Sequence, residues 1–207
     1  MNILARVVSI IFHPLLMTTY LFGMFYFFLP SVLFPISQER QRALMVFIAM
    51  MTFALPALGI SMLRTVGAIS SFTMLERRER IRPFFLITIV YLFFTYFFAF
   101  KLGLGLEDNW FKFLLIIDLL VIASTVITFF YKISIHSIGV MGILGIILPL
   151  NRAVESNTLF IPTIVLIVIA GIVMSARLQL NSHTTREVWI GAVTGFLIGF
   201  LGMIFLF

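Results

Sequence analysis

In a chain of 207 residues, hydrophobic types make up 62%, charged types only 11%, and cysteine is absent; soluble domains carry about 45–50% apolar and 25% charged residues. These proportions exclude an ordinary soluble domain and describe an integral membrane protein nearly consumed by its apolar segments, while the missing thiols exclude disulfides and thiolate chemistry. The net charge of +6 is carried in short caps between apolar runs, which points to anionic lipids or phosphorylated substrates as partners and away from nucleic acid.

Measured against the roughly 20 residues that cross a bilayer, the apolar runs predict an all-α bundle of six to seven spans, at residues 7–29, 43–63, 83–100, 113–131, 132–150, 159–176 and 188–207. The first run is longer than the apolar region of a signal peptide and lacks a clear small-residue cleavage site, so it reads as a retained span. Helices are required because a lipid-exposed backbone must satisfy its own hydrogen bonds, and the runs lack the alternation of a barrel. His13, beside Pro14, reads as a packed or hydrogen-bonded helix residue. Trp110 and the tyrosines near span ends read as interfacial anchors. Asp118 lies near the middle of the fourth span, where a carboxylate is either functional or paired with a polar neighbour. The fifth run is the shortest, and it crosses only if Lys132–His136 begins the helix, with Lys132 snorkelling outward. Glycine recurs at 139, 142 and 145 and again at 191, 195 and 199, two small-residue stripes that let helices approach closely. The chain is expected to form one transmembrane domain, with two N-terminal spans in 1–66 and a motif-bearing part in 67–207.

The polar residues are more informative. Arg177, His183 and Glu187 stand at the mouth of a span, where a cation, an imidazole and a carboxylate are costly beside hydrocarbon and suggest chemistry on an anionic lipid head group. Counting crossings places three clusters on one membrane face: the arginines ending at Arg82, the stretch Lys132 to His136, and Arg177 to Glu187. The opposite-face loops carry a few charges, such as Glu107 and Asp108, but no histidine.

Arg82-Pro83, then Ser134-Ile135-His136, then Arg177-x5-His183-x3-Glu187 resemble, in order and spacing, the type 2 phosphatidic acid phosphatases, or lipid phosphate phosphatases, which share a core with vanadium haloperoxidases. That family carries Lys-x6-Arg-Pro, Pro-Ser-Gly-His and Ser-Arg-x5-His-x3-Asp. Here Leu75 stands at the first lysine, Ile133 and Ile135 flank Ser134 in place of proline and glycine, and Glu187 replaces aspartate. The resemblance covers about residues 75–207 and implies a lipid phosphate phosphatase-like core.

It also implies roles. His183 would attack phosphorus and form a phosphohistidine, Glu187 would hold its tautomer, and His136 would protonate the leaving alkoxide and later activate water. Arg82 and Arg177, with Arg78 or Lys132 in place of the missing lysine, would clamp the phosphate through bidentate bonds, with Ser134 among the phosphate contacts. No metal or other cofactor is implied. Arg77, Arg80 and Arg186 read as interfacial anchors. The expectation is a membrane phosphohydrolase acting on a lipid phosphate or pyrophosphate. A phosphotransferase using the same intermediate and a non-catalytic lipid-binding or transport protein are the alternatives. The positive-inside rule would put the cation-rich face in the cytoplasm, whereas the resemblance favours the outer face of a bacterial inner membrane.

Overall fold

The computed structural model of this protein describes residues 3–34, 36–74, 76–154 and 157–207; Leu75 lies outside them. The described residues form helices and no strand, and seven helical stretches are long and apolar enough to cross a membrane. Seven spans are therefore present where six to seven were expected.

The first span is broken. Helix α1 covers Ile3–Ile11, a single 3-10 turn covers Pro14–Leu16, and α2 covers Met17–Phe28. Pro14 has no N–H and pushes the residue before it out of the helical region, so His13 is extended (φ −63°, ψ 137°). The His13 N–H bonds to the Ile10 carbonyl at 3.3 Å, three residues back, leaving the Ser9 carbonyl without its helical donor. The Ile11 carbonyl, freed in the same way, accepts the Tyr20 hydroxyl at 2.7 Å.

The second span contains α3 (Gln38–Ala49), a π turn (Met50–Ala54) and α4 (Leu55–Thr65). Pro56 cannot donate to the Thr52 carbonyl, and that carbonyl instead accepts the Tyr91 hydroxyl at 3.2 Å, tying this span to the third. The third, α5 (Arg77–Leu102), starts before Pro83 because arginine and glutamate wind readily into helix and the proline sits inside it. It is followed by α6 (Asn109–Phe130), α7 (Ile135–Ala153), α8 (Phe160–Gln179) and α9 (Thr185–Leu206).

Helix α7 does not begin at Lys132. Ser134 caps it, its hydroxyl accepting from the Ser137 N–H, and the helix gains its length at the other end, through Pro149 to Ala153. Nineteen residues rise about 28 Å, enough to cross. Helices α7 and α9 pack at backbone distance. A Cβ on Gly191 would lie 2.6 Å from the Ser134 carbonyl, and one on Gly195 or Gly199 would overlap the carbonyl of Ile138 or Gly142. The α9 stripe, with Gly145 of α7 against the α9 backbone, is thus the seam of the bundle, whereas Gly139 and Gly142 make room for the side chains of Met17 and Leu120.

Trp110 is not an interfacial anchor. It is fully buried in a cluster where its ring lies 5.3 Å from Phe22 and 5.1 Å from Phe98, with Phe25 and Phe113 at 4.6 Å. This cluster closes the bundle at the ends of α2 and α5 and the start of α6. The opposite end is left open.

Candidate active site

At that open end the N-terminus of α5, the N-termini of α7 and α9, the C-terminus of α8 and the break after α1 converge. Arg77 donates from Nη1 to the carbonyls of Thr128 and Phe129, the last free acceptors of α6. The Ser134 N–H donates to the Glu187 carbonyl at 3.3 Å, locking the starts of α7 and α9 together. The three clusters therefore share one end of the bundle, as the crossing count required.

His183 sits in the short turn between α8 and α9, two residues after Asn181, which takes a left-handed φ of 50°. The turn ends in a capping box. The Thr184 side chain accepts from the Glu187 N–H and the Glu187 carboxylate accepts from the Thr184 N–H, both at 3.3 Å. That geometry aims the carboxylate backward, and the His183 Nδ1–H donates to Glu187 Oε2 at 2.7 Å. A carboxylate can only accept at neutral pH, so Nδ1 carries the proton and Nε2 carries the lone pair. Burial is the main force pushing the His183 pKa down, to about 4. The Glu187 hydrogen bond opposes it, and the charges of Arg80 and Arg177 reinforce it. At neutral pH the imidazole is uncharged and nucleophilic.

A cavity of about 820 Å³ takes up the space between these elements, and Arg80, Arg177, His136, His183, His13 and Arg6 all line it. Arg80 is buried, 6% exposed. Its Nε donates to the Met74 carbonyl at 2.8 Å and its Nη1 to the Ile133 carbonyl at 3.4 Å, which leaves further N–H donors over. Arg177 Nε is buried with no hydrogen-bond partner, an orphaned charged donor of the sort that asks for an anion. Among the described residues the one ion pair is His183 with Glu187, so no carboxylate neutralises either arginine directly. His136 donates from Nε2 to the freed Ser9 carbonyl at 3.0 Å, which leaves Nδ1 as its working nitrogen.

The arrangement differs from the expected clamp. Arg78 and Arg82 do lie on one helical face, but it is the face that continues through Phe85, Ile89 and Phe93, all exposed towards lipid. Both arginines are exposed and neither lines the cavity; Arg82 reaches the Ala68 carbonyl at 3.5 Å. Arg80, expected to be an anchor, heads the opposite face with Phe84, Ile87 and Tyr91, and this face lines the cavity. Lys132 lines a second, polar cavity of about 440 Å³ that His183 and Glu187 share with Asn181 and Ser182. Ser134 is fully buried and engaged as a cap, accepting from the Ser137 hydroxyl at 2.9 Å, so it is no phosphate contact as placed. Asp118 is buried and is not among the residues lining the cavity. His13, read as a packed or hydrogen-bonded helix residue, is hydrogen-bonded, accepting the Leu15 N–H at 3.3 Å, and stands on the cavity wall with its ring 5.9 Å from that of His136.

Comparison with protein-family models, with curated proteins and with solved structures finds no match to this chain. The reading of the site therefore rests on its residues and their geometry.

Proposed function

We propose that this protein is a membrane-embedded phosphohydrolase that removes phosphate from a lipid phosphate or lipid pyrophosphate through a phosphohistidine, in a bacterial inner membrane. One observation carries the reading: His183, bonded through Nδ1 to Glu187 at 2.7 Å, shares a cavity with two arginines that form no ion pair among the described residues. A lone pair facing a cationic pocket inside a bilayer suits an anionic electrophile whose apolar tail stays in lipid.

In this scheme Arg80 and Arg177 hold the equatorial phosphoryl oxygens, where positioning and charge stabilisation provide most of the rate enhancement. The Nε2 lone pair attacks phosphorus as the bond to the leaving oxygen breaks, and Glu187 stabilises the positive charge that develops on the ring. Once the anionic head group is bound, His136 takes a second proton at Nδ1, its Nε2–H remaining on the Ser9 carbonyl, and gives that second proton to the leaving oxygen. It then removes a proton from the water that hydrolyses the phosphohistidine, which restores its starting state.

The test uses purified protein in lipid nanodiscs with phosphatidic acid, phosphatidylglycerol phosphate and a polyprenyl diphosphate. Phosphate should appear from at least one, and acid-labile phosphate should be trapped on the wild type and not on His183→Asn. A folded wild type that releases nothing from the whole panel would favour a non-catalytic lipid-binding role. Transfer to an added alcohol in preference to water would instead mark a phosphotransferase.

A further inference from the structure

Resting on that reading, we infer that His13, from the broken first span and outside every motif of the site, is a catalytic hydrogen-bond donor to the leaving oxygen. The break at Pro14 does two things. It frees the Ser9 carbonyl, which takes the Nε2–H of His136 at 3.0 Å, and it turns His13 into the cap of the 3-10 turn, with the Leu15 N–H donating to His13 Nδ1 at 3.3 Å.

These two bonds fix which nitrogen of each ring is already engaged. A backbone N–H can only donate, so Nδ1 of His13 is the acceptor and the proton of the neutral ring is on Nε2. A backbone carbonyl can only accept, so the Nε2–H of His136 is already spent and Nδ1 alone is left for chemistry. The rings stand edge to face, 5.9 Å apart and 77° between planes, on the wall of the same cavity. A leaving oxygen seated between the two rings would meet both His136 Nδ1 and His13 Nε2–H.

The step balances without a second acid. The His183 Nε2 lone pair forms the P–N bond, and the P–O bond breaks with its electron pair remaining on oxygen. That oxygen takes the Nδ1 proton of the imidazolium form of His136, whose Nε2–H stays on the Ser9 carbonyl. His13 keeps its proton and contributes an N–H···O bond to the charge as it develops. The charged and titratable groups facing this pair are Arg6 from α1, Arg80 and Tyr91 from α5, Arg177 from α8 and His183. None is a carboxylate, so no anionic acceptor competes with the leaving oxygen for the His13 N–H.

The experiment compares two substrates and two variants in nanodiscs. An alkyl lipid phosphate has a leaving oxygen that needs stabilisation; an aryl phosphate with an acidic phenol does not. His13→Ala should lower kcat on the alkyl substrate by on the order of 10²-fold, the usual cost of removing one such donor, with KM little changed and the aryl substrate affected only a few-fold. His13→Gln, which keeps a neutral N–H, should recover most of the loss and leave the pH profile unmoved. Equal losses on both substrates, no loss on either, or a glutamine variant as impaired as the alanine one would each overturn the inference. Wild-type protein inactive on both substrates would overturn the hydrolase reading itself, and this assignment with it.

Discussion

Glu187→Gln separates catalysis from folding at a single atom. In the folded protein Glu187 does two jobs: it completes the capping box of α9 and it accepts the His183 Nδ1–H at 2.7 Å. Glutamine serves in a capping box nearly as well as glutamate, so the cap remains and the lost charge at the helix N-terminus costs about 0.3–1 kcal/mol. The bond to His183 is different. When Nε2 bonds to phosphorus the ring becomes cationic, and the carboxylate turns an ordinary bond into a charge-assisted one worth about 1.5–3 kcal/mol. Losing that term only in the transition state lowers kcat by about 10- to 150-fold at 1.36 kcal/mol per decade. The acid limb of the pH profile should also move to lower pH, because Glu187 raises the His183 pKa against burial and its removal lets that pKa fall further. Initial rates of phosphate release in nanodiscs across pH, paired with a thermal melt, measure both. Unchanged kcat in a protein that melts normally would remove Glu187 from the mechanism, and a collapsed melt would show that its role is structural.

The remaining expectations concern the clamp, the seam and pH. Arg80→Ala should lower kcat/KM by on the order of 10²-fold, as loss of a charge-assisted contact does, whereas Arg78→Ala and Arg82→Ala, on the lipid-facing side, should remain within a few-fold; the reverse ranking would put the clamp on the other helix face. Gly195→Ala would set a methyl on the Ile138 carbonyl and should destabilise the bundle by about 1–3 kcal/mol, read as a lower melting temperature, while Gly171→Ala, with open space around it, should be neutral. His183 is held neutral by the fold, its pKa lowered from 6.5 to about 4. Its contribution to stability is therefore fully present above pH 6.5 and is lost as pH falls from 6.5 towards 4. Melting temperatures across that window should drop in the wild type and drop less in His183→Gln.

Much of this protein is legible in its sequence because the bilayer imposes a strong condition on it. An apolar run of sufficient length has no option but a helix, so the seven spans could be counted directly. Crossing parity then brought Arg177, His183 and Glu187 to the same end as His136, and the four-residue spacing of His183 and Glu187 sufficed for their bond, since residues four apart are neighbours on a helix and its cap. The glycine stripe of α9 could be read as a seam for the same reason: only small residues allow backbones to touch. Which face of α5 looks inward could not be read. In a soluble helix the apolar stripe marks the core, but Phe84, Ile87 and Tyr91 facing the cavity are no less apolar than Phe85, Ile89 and Phe93 facing lipid, so the period carries no contrast. Arg80 and Arg82 change roles on that undetermined rotation alone. His13 was obscured differently. Pro14 announces a break, but that the break would free the Ser9 carbonyl for a histidine 127 residues away depends on how α1 lies against α8 and α7, and only tertiary packing decides that.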